Sequence, residues 1–369
     1  MAAHVAQRVD VEAPVLEKGS ELRVLSFNAF CRPPGIKNKE NDWKSERLDY
    51  MATHEMHNFD IVGMQELFGT FSSRRGAFLK ACATAGHGWY VTSPKPSWKF
   101  LIDGGLAITS KYEIVEAVWH PFAPGMHSDR LAEKGVLYAK IAVNAASNVY
   151  LHVFNAHTQS SYNDPVGSKS WKVRERQTNA MLEFIQEMTT EDTYPLLLMG
   201  DLNIDARKEM PENTSSAEYT AFIQQLREMR STRGEHDPEP VGYNVYDLLY
   251  HFNDAAHPVT FGDATFRENN EVTPLETVFT KHHDYGTFQS LDYIFWLTRP
   301  SISSTAPTPH HKHHRQSSEK SKGRSTEASQ MADSTMTPIS AQVAKLLVQG
   351  HPFTQLSDHY GVQATFMLN

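Results

Sequence analysis

The sequence predicts an α+β fold, two mixed β-sheets packed on one another and flanked by helices, on three observations. Its apolar runs are mostly short, and several alternate with the period of two of a half-buried strand. Two longer stretches carry apolar residues at helical spacing. The strands are joined sometimes by helices and sometimes by long loops, which suits a sandwich of mixed strand direction better than a regular β–α alternation.

Eight segments read as strands: RVLSFNAF (23–30), DIVGMQEL (60–67), GGLAITSK (104–111), GVLYAKIAV (135–143), VYLHVFNAHT (149–158), PLLLMGDLN (195–203), SLDYIFWL (290–297) and HYGVQATFML (359–368). Between Trp171 and Met188, the residues Met181, Leu182, Ile185 and Met188 share one helical face, and Tyr219, Phe222, Ile223 and Leu226 repeat the pattern. Residues 1–20 read as an N-terminal tail and 21–369 as one catalytic domain. The stretch 299–340, rich in Ser, Thr, Pro and His, is too poor in apolar residues to build a core and is predicted to be a disordered insertion. Its HHKHH run (His310 to His314) has the donors to bind a metal, with a solvated, partly charged loop as the better reading.

With 369 residues, 40% of them hydrophobic, the chain can bury a sizeable core. A net charge of -8 gives no global attraction to phosphate backbones, so a nucleic-acid partner is not expected. Two cysteines, Cys31 and Cys82, make no disulfide framework and point to a reducing compartment, with a single bridge between them left open. The first twenty residues lack the apolar core of a signal peptide, and no stretch reaches the roughly 18 apolar residues of a membrane span. A cytoplasmic or peripheral membrane protein is the expectation.

The chemistry lies where the apolar runs stop. Asn28 ends VLSFN, Glu66 ends IVGMQE, His157 ends VFNAH, Asp201 and Asn203 end LLLMGDLN, and Asp358 with His359 opens the last strand. Singly, each has an ordinary explanation, because Asn and Asp serve turns and a His is often a satisfied core residue. Together they make a set of hard oxygen donors suited to Mg²⁺, with Mn²⁺ or Ca²⁺ as alternatives, and unlike a structural zinc site. Two histidines beside such a set supply what attack on phosphorus needs: an activated water, charge neutralisation and protonation of the leaving oxygen. Asp292, in LDYIF, is a candidate to orient either His359 or His157.

The ordered series Asn28, Glu66 in QE, His157, GDLN (200–203), LDYIF (291–295) and SDH (357–359) resembles the endonuclease/exonuclease/phosphatase, or deoxyribonuclease-I-like, superfamily from about Leu22 to Leu368. The resemblance implies a four-layered αββα sandwich with its site at one end of the sheets. It implies Asn28 and Glu66 as principal metal ligands, Asp201 and Asn203 as the pair that positions water and phosphate, and His359 as catalytic base and metal-side imidazole. It further implies Asp292 as the residue orienting that base and Asp358 as a metal-side carboxylate.

Within that superfamily, DGGLAITSKY (103–112), DRLAEKGVLYAKI (129–141) and NAHTQ (155–159) resemble the neutral sphingomyelinases. The implied activity is phospholipase C cleavage of sphingomyelin or a related phosphosphingolipid at a membrane surface, giving ceramide and a phosphorylated headgroup; choline, ethanolamine and inositol headgroups all stay open. Lys134 is expected to stabilise the pentavalent phosphoryl charge, and Asp129, five residues earlier, to draw it away as a regulatory switch; a solvated surface ion pair is the plain alternative. His157, followed by Thr158 and Gln159, is expected to bind phosphate or protonate the departing oxygen. Activity is expected to rise as His359 loses its proton.

The apolar docking hairpin of bacterial members and the membrane segments of many eukaryotic ones are not visible. Trp98, Phe100, Trp119 and Phe122 are candidates for an interfacial cluster, core packing being the expected fate of at least half. A nuclease or abasic-site endonuclease is the nearest rival but wants a basic groove. An inositol-polyphosphate phosphatase would carry an Arg where Tyr293 follows Asp292. A binding module without activity would be expected to lose a central residue, and none is missing.

Overall fold

The computed structural model of the protein describes residues 6–9, 13–161, 167–207, 215–231, 241–266, 272–299 and 335–369. Gln7–Arg8 (β1), Glu21–Cys31 (β2), Ile61–Leu67 (β3), Trp89–Thr92 (β4) and Ala107–Ser110 (β5) join the strands Gly361–Leu368 and Met336–Ala344 in a seven-stranded sheet ordered β1-β4-β5-β3-β2 and then those two. Glu113–Pro121 (β6), Gly135–Asn144 (β7), Val149–His157 (β8) and Leu196–Asp201 (β9) form a six-stranded sheet with Asp292–Thr298 and Asn244–Asp247.

Period-two alternation stacks these sheets. Along β7, Leu137, Ala139 and Ile141 meet the other sheet, where they pack with Leu22, Val24, Ile61 and Ile108, while Val136 and Tyr138 face helices. Each fully buried aliphatic or aromatic side chain contributes about 1.5–3 kcal/mol. The helices Lys44–Tyr50 (α1) and Arg74–Cys82 (α2) cover the first sheet, setting Leu48, Phe78 and Leu79 against Leu25, Val62 and Met64. On the second lie Lys169–Met188 (α3) and Ala217–Glu228 (α4), capped by Ser168 and Ser216, whose hydroxyls accept from Trp171 N and Tyr219 N. Met181, Ile185, Tyr219 and Phe222 pack there against Phe154, Leu198 and Phe295. The result is the four-layered αββα sandwich.

Every predicted strand and both predicted helices are present. Four strands of the two main sheets escaped the sequence reading besides β1: β4, β6, Asn244–Asp247 and Met336–Ala344. The last of these corrects the predicted insertion, whose end at 336–340 is ordered as an edge strand. An edge strand pairs on one side only, so it tolerates the exposed residues and the Pro338 beside a register shift that made the segment look structureless. Residues 300–334, including the HHKHH run, lie outside the described residues. The predicted tail is likewise partly packed: Gln7 and Arg8 pair with Tyr90 and Trp89, and Leu16 is buried in the intersheet core. Cys31 and Cys82 are buried free thiols, not a bridge. The four grouped aromatics divide: Trp119 and Phe122 are buried, whereas Trp98 is 90% exposed. Among the described residues no helix is long and apolar enough to cross a membrane.

One buried imidazole ties fold stability to pH. His87 sits under β5 with Nε2 donating to Met56 O (3.0 Å) and Phe59 O (3.1 Å), and with Nδ1 3.0 Å from the Thr109 hydroxyl. Burial pushes its pKa from 6.5 down to about 4. The unfolded chain therefore takes up this proton first, so the contribution is fully present above the ordinary imidazole pKa and is lost as pH falls toward the folded value. Urea denaturation should show His87 accounting for about 2–3 kcal/mol of stability lost between roughly pH 7 and 4.5. His87→Gln should flatten that loss by the same amount; an unchanged slope would contradict the assignment.

Candidate active site

Strand direction assembles the site. β2 runs parallel to β3, pairing Asn28 with Gln65, and β8 runs parallel to β9, pairing His157 with Asp201, so both pairs end at one edge. Asp292 begins an antiparallel strand directly opposite Asp201, and His359 lies just before the strand antiparallel to β2; both therefore fall at the same edge. Gly200 permits the close approach of β9 to β8 just before Asp201: its φ is +141°, and a Cβ there would lie 1.9 Å from Ala156 O. Glu66 and Asn203 occupy left-handed backbone (φ 52° and 50°) at the ends of their runs, a strained conformation that re-aims a side chain leaving a strand.

A pocket of about 390 Å³ is lined by Glu66, Asp129, Lys134, His157, Asp201, Asn203, Asp358 and His359, with Phe30, Arg32, Phe261 and Lys281 among its other walls. Asn28 and Asp292, the remaining predicted site residues, are fully buried immediately behind it. Asn28 Nδ2 donates to Asp201 Oδ2 at 2.9 Å, and the Asn203 backbone N–H donates to Asp201 Oδ1 at 3.0 Å. Asn203 Nδ2 donates to Thr158 O at 3.2 Å. His359 Nδ1 lies 2.9 Å from Asp292 Oδ2, which leaves Nε2 turned toward Asp201 Oδ2, 3.9 Å away. Of the two partners the sequence allowed Asp292, the structure selects His359.

Lys134 is not on a solvated surface. Its side chain is 6% exposed and its ammonium donates to Asp129 Oδ2 (3.1 Å), His157 Nε2 (3.1 Å) and Thr158 O (2.7 Å). Asp129 accepts in turn from Ser160 N at 2.8 Å. His157 Nε2, 3.6 Å from Asp201 Oδ2, must be an acceptor toward Lys134, which places the ring proton on Nδ1. Burial, then the charges of Lys134 and His359, hold this imidazole neutral with a pKa well below 6.5.

Negative charge dominates the floor. Burial raises Asp201 to about 6, with Asp292 adding to it, and raises Asp358 to about 7, with Glu66 adding. Burial alone would lower His359, but Asp292, Asp201 and Asp358 outweigh it and raise the imidazole to about 10. The tightest acid and imidazole group is Asp201, Asp292 and His359, with ligand atoms within 4.8 Å of one another, yet Asp292 and His359 already bond each other. Among the described residues two carboxylate oxygens are buried without a hydrogen-bond partner, Glu66 Oε2 and Asp292 Oδ1; of these two residues only Glu66 lines the pocket, where a hard divalent cation would satisfy its oxygen. Of the predicted ligand set, Asn28 presents its amide N–H to Asp201 while its Oδ1 accepts from Phe30 N, and each Asp201 oxygen already accepts one N–H, so Glu66 and Asp358 offer the more open oxygens.

Sequence reasoning missed Arg47, on α1. Fully buried, it donates to Asp42 O (2.7 Å), Ala29 O (2.7 Å), Leu356 O (2.6 Å) and Phe30 O (2.9 Å), clamping the chain just past Asn28 to the chain just before Asp358 and His359. Phe261, whose ring centroid is 4.8 Å from that of His359, was missed as well. Neither carries a motif, since each acts through a tertiary contact.

A two-sheet sandwich with carboxylates, amides and paired imidazoles at one shared edge defines a metal-dependent phosphoesterase scaffold, and the chain belongs to the Endonuclease/Exonuclease/phosphatase family, which it matches over residues 25–296. A sphingomyelinase of Dictyostelium discoideum is 30% identical over 476 residues, covering 94% of this chain and 99% of that protein. A phospholipase C of Staphylococcus aureus is 33% identical over 285 residues, covering 75% and 73%. The solved structure of a Staphylococcus aureus beta toxin mutant with bound magnesium ions shares the fold, with a TM-score of 0.56 at 20% identity over 94% of this chain and 99% of that one. The family and fold implied by the motifs are thus the ones found.

If Glu66 Oε2 meets a cation, adding Mg²⁺ should raise the thermal midpoint of the native chain, and Glu66→Gln should remove most of that rise. Equal rises in both proteins, read by calorimetry, would place the ion elsewhere. Arg47→Ala leaves four carbonyls unpaired around a cavity and should cost about 3–5 kcal/mol in denaturant unfolding.

Proposed function

We propose that the chain is a divalent-metal-dependent phosphodiesterase that hydrolyses sphingomyelin, or a related phosphosphingolipid at a membrane surface, to ceramide and a phosphorylated headgroup. The observation that carries this reading is the Lys134–His157–Asp201–His359–Asp292 array at a pocket that Glu66, with its unpartnered buried oxygen, also lines. The extent of similarity to a sphingomyelinase along nearly the whole chain supports the substrate class. Magnesium is the proposed ion, with Mn²⁺ and Ca²⁺ as alternatives, and Glu66, Asp201 and Asp358, with Asn28 and Asn203 beside them, would hold it. Bound there, it supplies positive charge against the phosphoryl oxygens and offsets the carboxylates that hold the His359 proton.

The chain's own residues then divide the work. Asp292 fixes the His359 ring through Nδ1, so that Nε2 faces the pocket to accept a proton from the attacking water, with Asp201 beside it to orient that water. The Asn203 amide and the Lys134 ammonium face the region where phosphoryl charge grows. His157, neutral and accepting from Lys134, positions that ammonium, and we assign the pair to bind the phosphoryl group and return a proton to the departing ceramide oxygen. In the present arrangement Asp129 engages Lys134; release of that pair is the regulatory step we assign to Asp129.

Mass spectrometry of products after incubation with several phosphosphingolipids should show ceramide and a phosphorylated headgroup, abolished by a chelator. Turnover of nucleic acid or inositol phosphates in their place would overturn the reading. Asp292→Asn should lower kcat roughly 10²–10⁴-fold, and Lys134→Ala roughly 10²-fold or more, with both variants still folded by circular dichroism.

A further inference from the structure

Beside the pocket mouth, four large apolar side chains stand in solvent: Phe71 (73% exposed), Trp98 (90%), Leu101 (56%) and Leu131 (43%). They come from three loops that the structure stitches into one platform. Asp103 accepts from Gly69 N (3.0 Å) and Thr70 N (2.7 Å) and pairs with Arg75 at 2.9 Å, which fixes the loop bearing Phe71. Leu101 N and Ile102 N both donate to Leu131 O, and Glu133 accepts from Ser97 N and Oγ, which fixes the turn bearing Trp98. Phe71 is held at φ 60°, a left-handed conformation unusual for an aromatic residue, with its ring directed outward.

The platform is continuous with the pocket. Ser128 and Asp129, on the short helical turn that ends at Leu131, line it, and Glu66 precedes Phe71 by one short loop. Its charge also differs from that of the whole molecule. The chain carries a net -8, yet Lys95, Lys99 and Arg130 are exposed here. Among the described residues of these loops the acids turn inward: Asp103 and Asp129 side chains are 1% and 14% exposed and Glu133 is buried. Exposed aromatic and aliphatic groups ringed by cations suit the headgroup boundary of an anionic bilayer, where the rings sit among glycerol and acyl groups and the ammonium groups meet phosphates.

We propose that Phe71, Trp98, Leu101 and Leu131, ringed by Lys95, Lys99 and Arg130, form a docking surface for an anionic phospholipid bilayer and set the pocket mouth against it. The proposal rests on the phosphosphingolipid reading only for what the docked enzyme then cleaves. Docking at this edge brings a headgroup to the pocket without lifting the lipid out of the membrane, and leaves the acidic remainder of the surface facing water.

The test is sedimentation of the full chain with phosphatidylcholine vesicles, with and without phosphatidylserine, combined with tryptophan emission. The native protein should bind the phosphatidylserine vesicles and its emission should shift to the blue, a shift absent from Trp98→Phe. The combined variant Phe71→Ser, Trp98→Ser, Leu101→Ser, Leu131→Ser should lose vesicle affinity and turnover of vesicle-borne substrate by roughly tenfold or more, and keep its turnover of a dispersed short-chain substrate. Lys95→Glu with Lys99→Glu, which removes no apolar contact, should weaken binding to phosphatidylserine vesicles selectively. Native-like vesicle binding by the combined variant, or no binding by the native chain, overturns the proposal. His359→Ala should bind vesicles like the native protein; binding by a native chain that cleaves no phosphosphingolipid would sink the functional reading and leave the docking surface standing.

Discussion

The hydrogen bond from Asn28 to Asp201, 2.9 Å long and sealed from solvent, joins the edge of one sheet to the edge of the other, and the site exists only while those two edges stay together. Its partners belong to β2 and β9, separated by 173 residues of chain. A second polar tie lies one layer deeper, where Asn155 on β8 donates to Met64 O and Ala107 O at 2.9 Å and accepts from Gln65 at 2.7 Å. Inside an otherwise apolar interface, unpaired polar groups are costly, and here all but the Gln65 carbonyl oxygen are paired, so they act as registration pins: a slip of either sheet would leave several more buried amide groups unsatisfied at about 1–3 kcal/mol each. Gly63 leaves room there for the Met199 side chain, whose Cε would lie 2.5 Å from a Cβ at that position.

The catalytic edge follows from that registration. Parallel pairing within each sheet brings carboxyl ends together, and antiparallel neighbours contribute residues from their beginnings, so strand direction alone decides that Glu66, His157 and Asp201 leave at the same place as Asp292 and His359 enter. Arg47 extends the constraint to the loops, since one guanidinium holds carbonyls on both sides of the site through bonds of 2.6 to 2.9 Å. Fixing loop backbones with a buried fork of donors costs less conformational entropy at the reacting groups than relying on their own side chains.

Much of this was legible in the sequence because polar residues terminating apolar runs are a local signal. Asn28, Glu66, His157, Asp201 and His359 each announce a strand end, and their convergence needs only the sheet order that the resemblance implied. What stayed hidden is what acts across the fold. Arg47 looks like any solvent-facing arginine of a short helix; only the packing of α1 against β2 reveals that it is buried. The first half of the strand Met336–Ala344, residues 336–340, read as insertion because an edge strand with alternating exposure and a proline lacks the apolar density of a central one. Trp98 and Trp119 were indistinguishable as residues, yet one lies on a loop tip and the other on β6, a strand whose exposed glutamates concealed its period.

The electrostatic design explains why such a site must be built on so rigid a frame. Glu66, Asp201, Asp292 and Asp358 converge on one pocket edge, and their mutual repulsion and burial raise the pKa of Asp201 and Asp358 while loading His359 with a proton. Uncompensated, this arrangement opposes folding, because desolvated like charges relax by taking up protons or moving apart. Lys134, which reaches Asp201 through His157, offsets part of it, but its three donors are already committed to Asp129, His157 and Thr158. The remaining negative charge is therefore held in place by the sheets, and it falls on the side where Glu66 has an oxygen to spare. A frame that keeps acids closer than they would choose to sit is a frame prepared for a cation, and a cation that offset them would loosen their hold on the His359 proton and leave that imidazole free to accept one from water.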